Sequence, residues 1–284
     1  MTPTLVRQHL SRTAEASRAD LGARARDWSE IQERMLVPLY EAAYERLEVG
    51  PATRLLGLGC GSGLALLMAA SRGATVAGVE TSCPERLTLA RERLLPEAWA
   101  TRARAGTRLV DGPVDSAVSE APPYTLVTAF EPIGCLAGDS EGLGELLASA
   151  TPLAARGAPV VLAGWGPPER CATSAVLRVA TKLADPLRSA GSWRPARRDD
   201  LEEVAQRAGL RPDGSGRVAC PFGYADLGSA LRGLLSTGLF DAAIAATDQA
   251  QVDKEVAEAL HPYRRRDGTV WMPNMFRYLI ARVP

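Results

Sequence analysis

Three glycines at alternate positions, Gly59-Cys60-Gly61-Ser62-Gly63, and a carboxylate, Glu80, 21 positions after the first of them form the most chemically specific pattern in this 284-residue chain. Glycine lets a backbone turn tightly and approach a ligand closely. An acidic side chain about 20 residues further on can accept from both hydroxyls of a ribose. The nicotinamide fingerprint would need glycine at position 64, where Leu64 stands, so the spacing points to a different adenosine site. Gly59, Cys60, Gly61, Gly63, Glu80 and Thr81 are therefore candidate cofactor-binding residues, with a plain tight turn and a helix-end charge as the alternative.

A second carboxylate, Glu131, follows an apolar run that ends at Phe130. At a strand end facing a crevice it would act as a general base or hold a cation; otherwise it is a solvated turn residue before Pro132. His261, the one histidine outside the N-terminal arm, is the other candidate base, with capping or packing as its structural role. Trp28, Tyr40, Tyr44, Trp165 and Trp271 fall on helices or strand ends that should surround the crevice, although aromatics make up only 5% of the chain. Aromatic faces attract a flat or cationic ligand, whereas Tyr44 and Trp271 read first as core packing. Arg264-Arg265-Arg266 offer either an anion site on a substrate or a solvated turn.

These residues need elements to position them. Residues 5–26 read as a polar helical arm and 28–47 as a second helix, with Ile31, Met35, Leu39, Ala43 and Leu47 on one face. Strands over 54–58, 75–80, 124–130 and 159–165 alternate with helices over 64–71, 84–95, 140–151 and 173–184, the signature of βαβ units and a largely parallel sheet. A helix over 198–208 follows. Residues 218–221 suggest a short strand and 270–283 one long strand, with three helices over 225–235, 239–247 and 251–260 between them, read as a lid over the crevice. The expected division is 1–50, a helical arm and cap, and 51–284, a single domain with the lid at about 224–262.

Composition narrows the function. The 33 basic residues, all but two of them arginine, balance 33 acidic ones, so no broad cationic surface is available for nucleic acid. No apolar run reaches the roughly 20 residues of a membrane helix, and no apolar h-region opens the chain. Five scattered cysteines without a Cys-x-x-Cys pair argue against a disulfide framework or a structural zinc, and no metal site is expected. A cytoplasmic protein acting on small molecules is the expectation.

Arg54-Leu-Leu-Gly-Leu-Gly-Cys-Gly-Ser-Gly63, Val76-Ala-Gly-Val-Glu-Thr-Ser82 and Ala90-Arg-Glu-Arg93 resemble the class I S-adenosylmethionine-dependent methyltransferases. Asp27-Trp-Ser-Glu-Ile31, Pro38-Leu-Tyr40, Cys220-Pro-Phe222, Ala230-Leu-Arg-Gly-Leu-Leu235 and Phe276-Arg-Tyr-Leu-Ile-Ala-Arg282 are similar to a bacterial small-molecule, natural-product branch of that family. The resemblance spans nearly the whole chain. It implies a Rossmann-like α/β sandwich with a seven-stranded, mostly parallel sheet, N-terminal helices and a helical lid insertion. It also implies S-adenosylmethionine as cofactor, a small-molecule substrate in secondary metabolism or antibiotic biosynthesis, and a homodimer or heteromer through the N-terminal helices.

Four positions depart from the family pattern. Gly57 replaces the acid that ends the first strand. Pro113 stands where an aspartate meets the adenine, with Asp111 and Asp115 as substitutes. Tyr124-Thr125 replaces an aromatic-Asp pair, and Glu131 replaces a polar amide. Three functions stay open: methyl transfer to a small biosynthetic intermediate with Glu131 as base or orienting group; a repurposed fold that has lost the cofactor and catalyses ring closure, elimination or rearrangement; and a non-catalytic member that pairs with another subunit. Trp28, Tyr40, Trp165, Arg264 and Trp271 are the expected substrate contacts, and Asp115 and Phe130 complete the expected cofactor contacts.

Overall fold

A computed structural model of the chain describes residues 21–95, 106–117, 122–133, 139–184 and 200–284. The apolar run Arg54–Leu58 forms β1, followed by Thr75–Glu80 (β2), Thr107–Asp111 (β3), Leu126–Ile133 (β4), Pro159–Trp165 (β5), Arg211–Ala219 (β6) and Met275–Arg282, the ninth and last strand (β9). They make one sheet in the order β3-β2-β1-β4-β5-β9-β6. β9 alone runs against its neighbours, pairing antiparallel with both β5 and β6. Two short strands, Phe222–Tyr224 (β7) and Val270–Met272 (β8), form a separate antiparallel pair.

Each central strand is apolar on both faces, as a sheet covered on both sides requires. On β5, Val161 and Ala163 pack into one core cluster while Val160 and Leu162 pack into the other. The first cluster carries Val37–Arg46 (α1), Leu64–Ser71 (α2), Pro84–Leu94 (α3) and Thr173–Ala184 (α5); the second carries Asp139–Ala150 (α4) and Asp200–Arg207 (α6). The leucines Leu39, Leu55, Leu66, Leu147 and Leu162 are fully buried, each contributing about 1.5–3 kcal/mol.

Leu227–Leu235 (α7), Asp241–Ala246 (α8) and Gln249–Leu260 (α9) stand between β7 and β8. Asp226 and Asp248 cap α7 and α9, accepting from the amides of Ser229 at 2.6 Å and Gln251 at 2.8 Å. This block packs against α5 and the first core cluster, and only Thr237 and Leu239, in the connection between α7 and α8, reach the cavity described below.

Three expectations change. The second N-terminal helix is not uniform: Trp28–Gln32 is a π segment and Glu33–Leu36 a 3-10 segment before α1. This irregular winding, common at functional sites, turns Glu33 into the interior, where it is 1% exposed. The short strand at 218–221 is in fact the nine-residue β6; being an edge strand rich in Gly and polar residues, it shows no hydrophobic alternation. The long final strand is interrupted at Pro273-Asn274, because proline supplies no ladder donor. Asn274 is buried there and accepts from the Thr173 amide at 3.1 Å. The N-terminal arm lies outside the described residues up to position 20; residues 21–27 are helical. No described helix is long and apolar enough to cross a membrane.

Candidate active site

The strand order reverses between β1 and β4, and ligands in open α/β sheets bind outside the carboxyl ends of the strands at such a point. A cavity of about 600 Å³ opens there, within the range of small-molecule sites. Its floor is the glycine loop. Gly59, Gly61 and Gly63 have φ of 58°, 56° and 80°, in the left-handed region that side chains avoid. Gly61 is doubly constrained, since a Cβ there would lie 2.4 Å from Trp28 Cη2. Gly61→Ala is accordingly expected to destabilise the protein by about 2 kcal/mol and to push the indole off the loop. Urea unfolding with tryptophan emission would register both; an unchanged midpoint would show that the loop tolerates a side chain.

Glu80 ends β2 and is 2% exposed. One carboxylate oxygen accepts from the Gly61 amide at 2.9 Å, and the other from the Ser82 amide at 2.9 Å and the Ser82 hydroxyl. These bonds fix the carboxylate against the loop and leave acceptor capacity toward the cavity, which Glu80 lines. Gly57 cannot be an acid in this packing. A Cβ there would meet Leu66 Cδ2 at 2.9 Å, and the same leucine fills the space over Gly78 on β2.

A buried polar network holds the irregular N-terminal segment onto this loop. Glu33 accepts from the Ser62 hydroxyl and, at 3.3 Å, from the Leu64 amide at the start of α2. Arg93 of α3 donates to Glu33 at 2.7 Å, to the Ser62 carbonyl at 2.9 Å and to the Ser29 hydroxyl at 2.8 Å. Glu33 thus supplies the anion that a helix N-terminus attracts, so that end of α2 is filled by the protein itself. Burial pushes the Glu33 carboxyl above its usual range, against the bonds from Ser62 and Arg93.

Glu131 projects from β4 over the loop, with Oε2 3.4 Å from where a Cβ on Gly59 would sit. Glu131 is partly exposed and lines the cavity. Burial raises its carboxyl above the usual carboxylate range, Arg86 pulls it back and the Glu80 charge raises it further. Aromatic rings line the same space: Tyr40 tilts onto Phe130 with centroids 4.8 Å apart, and Trp165 onto Phe276 at 4.5 Å. Arg86 lies 4.0 Å above the Trp28 ring.

Solved structures share this fold. A Bacillus halodurans C-125 protein assigned to the methyltransferases superposes with a TM-score of 0.53 at 13% identity, over 86% of this chain and 98% of its own. The YcgJ protein of Bacillus subtilis superposes with a TM-score of 0.51 at 14% identity, over 88% of this chain and 99% of its own. The chain has the class I methyltransferase fold. No protein-family model and no curated protein matches it.

On the methyltransferase fold the expected site residues divide into two groups. Gly59, Cys60, Gly61, Glu80, Thr81 and Phe130 line the cavity, as do Glu131, Trp28, Tyr40 and Trp165. Gly63 belongs to the loop but turns toward α3, where a Cβ would meet Ala90 and Leu94. Asp115, His261, Arg264 and Trp271 fall outside the lining as Gly63 does. Asp115 sits on a single 3-10 turn whose Val114 and Ala117 point inward, leaving the carboxylate exposed, and Pro113 and Val114 line the cavity in its place. His261 follows the buried stripe Val252, Val256 and Leu260 of α9 and is itself exposed. Arg264 is exposed beside its backbone bridge to Val270. Trp271 lies on the outer face of β8, 40% exposed, with Arg265 4.6 Å from its ring, because Val270 and Met272 take the inner face. Arg86, Glu33 and Arg93 were not among the expected site residues. Arg86 stands in the first turn of α3, the helix that follows Glu80 and β2, a positional signal; the Glu33–Arg93 pair spans 60 residues and leaves no local trace.

Proposed function

We propose that the chain is an enzyme that binds S-adenosylmethionine in this cavity and transfers its methyl group to a small biosynthetic molecule. The observation that carries the reading is Glu80, buried at the end of β2, locked to the left-handed glycine loop and still open to the cavity. The residues present fit the cofactor. Glu80 would accept from the two ribose hydroxyls, the Gly59–Gly61 backbone would lie along the amino-acid tail, and Pro113 and Val114 would form an apolar wall for the base. When bound, the cofactor supplies an electrophilic methyl carbon on a sulfonium. Trp28, Tyr40 and Phe130 provide aromatic faces that favour a cation and exclude water. Glu131 takes the proton of the acceptor's nucleophile, and its raised carboxyl makes it a stronger base than an exposed glutamate.

Trp28 gives a direct readout, since its ring rests on Gly61 and lines the cavity. Titration with S-adenosylmethionine should produce a saturable change in tryptophan emission that Trp28→Phe reduces, leaving any contribution from Trp165 on the same cavity; a flat titration of the wild type counts against cofactor binding at this loop. A second reading, the fold repurposed for intramolecular displacement or ring closure without the cofactor, draws on Leu66 filling the place of the usual acid at Gly57. Under that reading Glu131 deprotonates the substrate itself, and turnover proceeds without S-adenosylmethionine.

Glu131 also predicts a pH effect on stability. Its folded carboxyl is raised, so its stabilising contribution is complete below the unfolded value of about 4.3 and is lost as pH rises through the folded value. Glu131→Gln removes that loss. The variant should match wild type in thermal midpoint near pH 4 and exceed it at pH 7 to 8, a site that trades stability for chemistry. Calorimetry at the two pH values checks it, and a midpoint lower than wild type at pH 8 would show that the carboxylate is structurally needed.

A further inference from the structure

Two polar tips on the N-terminal segment open onto the cavity without a partner. Gln32 lies in the π segment, is 7% exposed and lines the cavity. Its side-chain oxygen accepts from the Tyr224 hydroxyl at 3.0 Å, so the amide has its N–H groups left to offer. Among the described residues Nε2 has no hydrogen-bond partner, and it keeps accessible surface. Tyr40 of α1 also lines the cavity, is 3% exposed and has its hydroxyl in the same condition. Polar tips this deep are normally paired. The hydroxyls of Tyr44, Tyr124 and Tyr224 are, with the Ala65 carbonyl at 3.0 Å, the Ala117 carbonyl at 3.0 Å and Gln32. Burial, with the charges of Glu33 and Glu131 adding to it, pushes the Tyr40 hydroxyl well above its ordinary range, so it keeps its proton.

The walls beside these donors are carbon rings. Tyr40 tilts onto Phe130, while Phe222 neighbours Tyr224 at 6.5 Å, stacks on Phe276 at 6.0 Å and meets Trp165 edge-on at 6.0 Å. Phe130, Trp165, Phe222 and Phe276 all line the cavity. We propose that the substrate of this cavity is a neutral, ring-bearing molecule with uncharged carbonyl oxygens at its rim, to which Gln32 and Tyr40 donate while its body lies against these four rings. The Gln32 amide decides the polarity of the match. A cation brings no acceptor for it. An anion brings one, but into the field of the Glu33 and Glu131 carboxylates beside Tyr40. A hydrocarbon leaves both donors unsatisfied, and a site built to hydrogen-bond its ligand discriminates against an analogue that lacks the group. The inference deepens the proposed function by naming its substrate class; it rests on this cavity being the substrate's site and does not require the methyl donor.

Ligand-detected NMR titration with four para-substituted benzenes tests it. Diacetylbenzene carries two neutral acceptors, ethylacetophenone one, acetylbenzoate an anion in place of the second and acetylbenzylamine a cation. Wild type should bind diacetylbenzene roughly fivefold more tightly than ethylacetophenone, the worth of one neutral hydrogen bond, and more tightly than either charged probe. Tyr40→Phe, which removes a hydroxyl that has no partner in the protein, should bring diacetylbenzene to the level of ethylacetophenone. Gln32→Met should do the same when made together with Tyr224→Phe, which avoids leaving the Tyr224 hydroxyl orphaned; should that pair fail to fold, Tyr40→Phe still decides. No binding of diacetylbenzene, no preference over ethylacetophenone, tighter binding of a charged probe, or a preference unchanged in every folded variant overturns the proposal. Saturating S-adenosylmethionine should leave diacetylbenzene bound, and its displacement would place it in the cofactor's part of the cavity and overturn the proposal too. The two readings fail separately. Diketone preference in a protein that does not bind S-adenosylmethionine upholds this inference and removes methyl transfer alone; cofactor binding without diketone preference removes this inference alone.

Discussion

Glu33→Ala is expected to destabilise the protein by about 3 kcal/mol, the low end of what breaking a buried ion pair costs because Arg93 keeps some contact with water. The side chains of Glu33 and Arg93 are 2% and 21% exposed. Removing the carboxylate strands the Arg93 guanidinium and takes away the acceptor of the Ser62 hydroxyl and the Leu64 amide. It also unties the π segment that carries Trp28, since Ser29 is held through the same arginine. The expected result is a lower urea midpoint together with greater exposure of Trp28 to quencher. Glu33→Gln, which keeps the shape and one acceptor oxygen, should lose less. A loss below about 1 kcal/mol for the alanine variant, within the range of an ordinary surface pair, would contradict the view that this network fastens the N-terminal segment over the loop.

The second large effect belongs to Glu80→Gln. Two hydrogen bonds from ribose hydroxyls to a charged acceptor, at about 1.5 kcal/mol or more each, correspond to roughly a hundredfold in affinity for S-adenosylmethionine. The substitution keeps the side-chain volume but turns one oxygen into an amide donor facing the Gly61 or Ser82 amide. A modest fall in thermal midpoint should accompany the loss of affinity. Adenine alone, which carries no ribose, should be affected far less, and that contrast assigns the effect to the hydroxyls. Equal weakening of both ligands would show instead that the loop had collapsed.

The part of the site written locally was legible in the amino-acid order. β1, the glycine loop and β2 are contiguous, their apolar runs are buried on both faces, and the loop's left-handed turns demand glycine, so Glu80 could be placed from spacing alone. Glu131 was legible for the same reason, as the carboxylate that follows an apolar run, although β4 continues past it to Ile133. What escaped notice depends on tertiary packing. The interior position of Glu33 follows from a π and 3-10 winding that four-residue periodicity does not reveal. β6 is a polar, glycine-containing edge strand with no alternation to read. Asp115, His261, Arg264 and Trp271 were expected near the cavity from their place in the chain, yet each sits beside an inward-facing apolar neighbour and points out. The arginine that lines the cavity is Arg86, not Arg264, Arg265 or Arg266.

Whether this cavity holds S-adenosylmethionine is tested most directly by isothermal titration of the cofactor into the wild-type protein. One-to-one binding with a dissociation constant on the order of micromolar is the expected result. Absence of binding at millimolar cofactor would contradict it and leave the glycine loop and Glu80 as a scaffold for chemistry that needs no methyl donor.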